Sequence, residues 1–128
     1  EQYRKIDLGI PAQAAEICKN NGVSKVAVVS AIGANAKSSI AYNKIKGEME
    51  HAVLSANIER TYILRPSFIV GNRQEHRAGE ELGIAVFKCF KFLIPKNYRA
   101  VEARAIALKM IELCNSNDPS KIIESNEI

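Results

Sequence analysis

The chain has 128 residues, enough for one domain around a single core. Hydrophobic residues at 47% and charged residues at 25% are ordinary for a folded soluble protein, and no apolar run approaches the roughly 18 to 20 residues of a membrane span. The net charge is +4, but the basic side chains are interleaved with acids and line no stripe, which argues against a nucleic-acid partner.

The opening "EQYRKIDLGIP" lacks the basic, apolar, small-residue order of a secretion signal. Cys18, Cys89 and Cys114 form no CxxC pair and are odd in number, so they read as buried reduced thiols, and the expected location is cytoplasmic. His51 and His76 have no local cluster of ligating residues, so no protein-held metal is expected.

In chain order, Ala14, Ile17 and Cys18 recur at helical spacing and predict a helix over Pro11–Asn20, stopped by Asn21-Gly22. "KVAVVS", Lys25–Ser30, is a valine-rich run suited to a strand covered on both faces. The small, polar "AIGANAKSS" is a loop, and Ile40–Ala56 predicts a long helix with Tyr42, Ile45, Met49 and Val53 along one side. Thr61–Leu64 is the next strand, ended by Arg65-Pro66, because proline cannot donate to a sheet ladder.

Beyond it, 72–79 reads as a polar loop and Glu80–Leu93 as a helix through Leu82, Val86, Cys89 and Phe90. Val101–Cys114 predicts another helix, and "KIIES" a final strand. This alternation predicts a single α/β domain over residues 1–128, with helices on both faces of a mostly parallel sheet. Three strands are few for such a sheet, so the first βαβ units are expected to be missing.

Tyr42 and Lys46 stand four apart, so their side chains share one helical face. A phenol is too weak an acid for neutral pH, but a nearby ammonium favours its ionised form, and Tyr42 could then exchange a proton with a carbonyl or alcohol oxygen during hydride transfer. Ser30 closes the buried strand at the edge where open α/β sheets place ligands, and is the candidate to orient that oxygen. Composition alone predicts about 0.3 chance matches to Tyr-x-x-x-Lys, so the pair gains weight only from its place after the strand.

"VVSAIGANAKSSIAYNKIKGEMEHAV" and "ILRPSFIVGNRQEHRAGE" resemble the short-chain dehydrogenase/reductase superfamily, and within it the atypical, Tat-interacting-protein-like NAD(P)-binding branch. The resemblance covers about Ile6 to Ile128 and only the later part of a family domain. It implies a Rossmann-like fold, NADP or NAD as cofactor, and an oxidoreductase acting on a carbonyl or alcohol of a small molecule. Under it, Tyr42 is the acid/base, Lys46 bonds the nicotinamide ribose and lowers the tyrosine's pKa, and Ser30 holds substrate oxygen. Arg65, Pro66 and Ser67 lie beside the nicotinamide.

Two departures stand out. Many relatives have two serines after the strand, whereas Ala31 follows Ser30 here, so Ser38 or Ser39 could substitute. The glycines, at 9, 22, 33, 47, 71, 79 and 83, are nowhere spaced as a phosphate-binding turn, so the sequence carries no pyrophosphate cradle and leaves NAD against NADP unread.

Arg73, Gln74, Glu75, His76 and Arg77 read as a solvated loop, with Arg73 or Arg77 as candidates to meet a phosphate or acidic substrate. Phe87, Phe90 and Phe92 read as core or as a subunit contact, the kind of apolar helix that can build a homodimer. The rival to an enzyme is an NAD(P)-binding regulatory or interaction protein with little turnover; the third reading is an unrelated α/β binding module.

Overall fold

The computed structural model describes residues 2–70 and 95–128. The expected 80–93 helix, the 73–77 charged loop, the three phenylalanines and Cys89 lie outside them.

The chain opens helically, over Gln2–Arg4, then a π-helical turn at Lys5–Gly9, then α1, Ile10–Asn20. The turn is wide because Ile10 N–H bonds the carbonyl of Lys5, five residues back. Sequence reasoning began the helix only at Pro11. The widened register just before it accommodates the missing proline N–H, so helix precedes Pro11 as well as following it. At the other end Gly22 adopts φ +70°, and Val23 N–H returns to Cys18 O at 2.9 Å, a glycine-dependent helix stop.

Strand β1 is Lys25–Val29 and β2 is Arg60–Arg65, with helix α2, Ala41–Ser55, between them. β3, Ile69–Val70, pairs in parallel with β4, Val101–Glu102. Helix α3, Ala103–Asn115, and β5, Lys121–Glu124, complete the described elements. The expected helix over 101–114 therefore starts two residues later, since Val101 and Glu102 are extended and Val101 N–H bonds Phe68 O at 2.8 Å.

The main sheet has the order β1-β2-β5, all parallel, with Val29 opposite Leu64 and Leu64 opposite Ile123. Its two faces are covered separately, as the run "KVAVV" requires. Val26 and Val28 pack toward Ala15 of α1, Met49 and Val53 of α2, and Ile58 just before β2. Ala27 and Val29 pack on the other side with Tyr62, Leu64, Ile106, Leu113 and Ile123. The fold is thus α/β with a parallel sheet between helices, consistent with a Rossmann-like arrangement.

Two expectations need correction. Cys18 and Cys114 are free thiols, but each lies on a helix flank and is only partly buried. Tyr42 is 51% exposed, and the buried side of α2 is formed by Gly47, Met49, Glu50 and Val53, all from its later turns. Among the described residues no helix is long and apolar enough to cross a membrane.

Tyr62 is fully buried, and its hydroxyl donates to the carbonyl of Asp118 at 2.7 Å, tying the centre of the sheet to the turn before β5. Tyr62→Phe keeps the packing and removes this bond. Urea unfolding should show a loss of about 1 kcal/mol.

Candidate functional site

Because the three strands of the main sheet run in parallel, their carboxyl ends meet at one edge. Ser30 follows β1 there, Arg65 ends β2 and Glu124 ends β5. Ser30 N–H bonds Leu64 O at 2.7 Å and Ile32 N–H bonds Pro66 O at 2.9 Å, so the strand direction persists past Val29. The chain then turns at Gly33, whose φ of +77° suits a residue without Cβ.

The loop after Gly33 is tied down locally. Asn35 Oδ1 accepts from Lys37 N–H at 2.9 Å, and Ser38 Oγ accepts from Ile40 N–H at 3.1 Å just before α2 begins. Asn35 N–H also donates to the Asn43 carbonyl at 2.9 Å, so the loop lies along the helix. Gly47 makes that approach possible, since a Cβ there would sit 2.1 Å from Ala36 N and 2.3 Å from the Asn35 carbonyl carbon.

α2 carries the central pair. Lys46 Nζ lies 6.0 Å from the centroid of the Tyr42 ring, as expected for positions one turn apart. The Lys46 side chain is only 12% exposed, and its ammonium is 3.0 Å from Asp7 Oδ1 in the π-helical turn. A second ion pair, Arg4 to Glu48 at 2.7 Å, joins the same two segments.

Ser30 belongs to a different set of partners. It is 4% exposed, and its hydroxyl donates to Glu50 Oε1 at 2.5 Å. Glu50, itself 4% exposed, receives Arg65 through two parallel bonds, Nε to Oε1 at 2.9 Å and one terminal nitrogen to Oε2 at 2.7 Å. The other terminal nitrogen of Arg65 reaches Glu124 Oε1 at 3.0 Å. The hydrogen bonds it donates to Glu50 raise the pKa of the Arg65 guanidinium well above its already high ordinary value, against the opposing effect of burial. Three parallel strands and α2 are thereby joined at one edge.

The structure thus brings Tyr42 and Lys46 together, and separately brings Ser30, Arg65, Glu50 and Glu124 together. Pro66 is fully buried, with its carbonyl held by Ile32. Ser67 N–H bonds Ser125 Oγ at 3.1 Å, and its hydroxyl donates to the Arg99 carbonyl, so Ser67 anchors the chain after β2. Ser38 is half-buried and Ser39 exposed on the loop beside the start of α2.

Sequence reasoning overlooked Glu50, Glu124 and Asp7. Glu50 had a visible signal, a carboxylate between Met49 and Val53 on the buried side of a helix, which requires a buried cation such as Arg65. Asp7 had none, because its turn was not expected to be helical.

No protein-family model matches the chain. The chain is similar to mitochondrial FMP52 proteins of fungi. It is 34% identical over its whole length to that of Eremothecium gossypii, spanning 60% of that protein. It is 40% identical over 64% of its length to that of Candida albicans, spanning 36% of it. With that of Aspergillus fumigatus it shares 40% identity over 62% of its length, spanning 34% of it.

These findings correct two expectations. The relatives carry the FMP52 name, so the Tat-interacting-protein-like short-chain dehydrogenase/reductase branch is not the group the comparisons indicate. They are also named mitochondrial, which overturns the cytoplasmic location inferred from an unremarkable amino terminus and three thiols. Thiol content and the absence of a secretion signal do not separate cytosol from mitochondrion. The resemblance, at 34% to 42% identity, points to the FMP52 proteins, of whose length this chain spans 60% in one case and a third or slightly more in the others reported.

Proposed function

We propose that this chain is part of an FMP52-type mitochondrial protein that acts as an NAD(P)-dependent oxidoreductase on a carbonyl or alcohol of a small molecule. The observation that carries the reading is the half-exposed Tyr42 phenol with the Lys46 ammonium 6.0 Å from its ring, at the start of a helix that follows a partly buried parallel strand. A titratable hydroxyl open to solvent beside a fixed positive charge is suited to meeting a substrate oxygen.

The described donors suit the nicotinamide-ribose end of NADP or NAD. Lys46 has ammonium protons beyond the one given to Asp7, and these can meet ribose hydroxyls. Arg65, by contrast, is committed to Glu50 and Glu124 and offers little to a phosphate. Bound in its reduced form beside Lys46, such a cofactor would supply hydride chemistry for a carbonyl carbon. Tyr42 gives its proton to the carbonyl oxygen, completing the alcohol, and recovers one from solvent. Ser38, whose oxygen accepts from Ile40 N–H while its own proton can be donated, is the candidate to orient the substrate in place of Ser30, whose proton goes to Glu50.

A second reading, an NAD(P)-binding regulatory or interaction protein with little turnover, is favoured by one observation. Ser30 donates its proton to Glu50 and Lys46 is paired with Asp7, so both auxiliary groups are engaged within the protein.

The test is NAD(P)H oxidation by the full-length protein against quinones, aldehydes and ketones, with Tyr42→Phe alongside. Removal of a general acid should lower turnover by about 10²- to 10⁴-fold with little change in NAD(P)H affinity. Tight cofactor binding without turnover, unaffected by the substitution, would select the regulatory reading.

A further inference from the structure

We propose that Asp7, carried on the π-helical turn at Lys5–Gly9, is the positioning residue of the Tyr42–Lys46 pair. The proposal rests on the acid/base reading for its catalytic consequence, but its structural content is separate: Asp7 decides where the Lys46 ammonium sits.

Three observations converge on it. Lys46 is nearly buried, and Asp7 Oδ1 at 3.0 Å is the carboxylate that balances its charge there. The Tyr42 ring has its centroid 6.0 Å from the same nitrogen. The ammonium therefore has both a carboxylate and an aromatic face as neighbours, and the shorter contact, to Asp7, is the one that restrains its flexible four-carbon stem.

The third observation is the turn itself. In an uninterrupted α-helix Ile10 N–H would bond Ile6 O; here it bonds Lys5 O, and the extra residue in the turn resets the direction of side chains around Asp7. Such a distortion costs backbone hydrogen-bond geometry and commonly marks a functional position. The turn is also docked through the residue before it, because Arg4 pairs with Glu48, two residues beyond Lys46 on α2. That second pair provides a control, since it anchors the same segment without touching Lys46.

The experiment uses the full-length protein with Asp7→Asn, Asp7→Glu and Arg4→Gln. Lys46 is labelled by a brief pulse of an amine-acylating reagent and quantified by peptide mass spectrometry, while turnover is followed with the best carbonyl substrate. Asp7→Asn should raise Lys46 labelling several-fold and lower kcat about tenfold, with KM for the substrate nearly unchanged. Asp7→Glu should restore most of both, and Arg4→Gln should leave both near the wild-type values.

Unchanged Lys46 labelling in Asp7→Asn would overturn the proposal, as would an equal rise in Arg4→Gln, which would assign the effect to docking of the segment. If labelling rises only in Asp7→Asn while the wild-type protein shows no turnover with any substrate, Asp7 still positions Lys46 and the oxidoreductase reading fails.

Discussion

Gly47→Ala is expected to destabilise the protein by about 2 kcal/mol or more, although the same change in an ordinary helix interior stabilises by about 1 kcal/mol. The reversal comes from what lies against the helix. A Cβ at this position would stand 2.1 Å from Ala36 N, 2.3 Å from the Asn35 carbonyl carbon and 2.7 Å from Asn35 Cα. All three are backbone atoms, so no rotamer change relieves the contact. The loop must lift, and with it goes the bond from Asn35 N–H to the Asn43 carbonyl.

Overpacking of a close-packed site costs about 1 to 3 kcal/mol, and contacts this short belong at or above the top of that range. Urea denaturation of the wild type and the variant measures the difference directly. Equal or greater stability in Gly47→Ala would mean that the loop does not rest on α2 as described. Because the loop joins Ser30 to Tyr42, the variant should also lose turnover in the carbonyl-reduction assay, even at temperatures where it remains folded.

The second large effect is expected at Glu50. Removing one member of a buried ion pair strands the other, typically at a cost of about 3 to 5 kcal/mol. Arg65 keeps Glu124 at 3.0 Å and is partly exposed, so Glu50→Ala should cost less, about 2 to 3 kcal/mol. Glu50→Gln keeps an oxygen for Ser30 and for one Arg65 N–H, and should cost about 1 to 2 kcal/mol.

The informative comparison is the pair Glu50→Met with Arg65→Met. Replacing both charges by apolar side chains of similar length removes the stranded cation, so the double variant should be more stable than Glu50→Met alone. Additive losses in a double-mutant cycle followed by denaturant unfolding would show that the two residues are not coupled. Arg65 remains charged at any accessible pH, held so first by its hydrogen bonds to Glu50.

Much of the fold was legible from residue pattern. "KVAVV" and the centre of "RTYILR" have the continuous apolar character of strands covered on both faces, and they form adjacent parallel strands. The regular spacing of Met49 and Val53 located α2 to within a residue at each end. The pairing of β3 with β4 was not legible, because two-residue strands have no period to detect. Nor was the helical start, where Gly9 and Pro11 look like punctuation and the ion pairs of Arg4 and Asp7 with α2 lie far off in the sequence.

The site divides along the same line. Tyr42 and Lys46 lie on one helix, so local geometry was sufficient to place them together. Ser30 was assigned by its position after a strand, but its hydroxyl direction depends on Glu50, twenty residues away, and on Arg65 beyond that. Side-chain partners that come from different strands depend on register, which spacing along the chain does not encode.

That dependence has a consequence for how the sheet assembles. Arg65 stands opposite Glu124 across β2 and β5, while Ser30 and Glu50 reach the same spot from β1 and α2. A slip of one residue in β2 would turn Arg65 to the opposite face and leave the Glu50 carboxylate enclosed with no counter-ion. Parallel strands drawn from distant parts of a chain have many nearly equivalent alignments, and hydrophobic side chains such as valine and isoleucine discriminate poorly among them. The cluster of charges at their ends works as a proofreading device, admitting one alignment and penalising its neighbours.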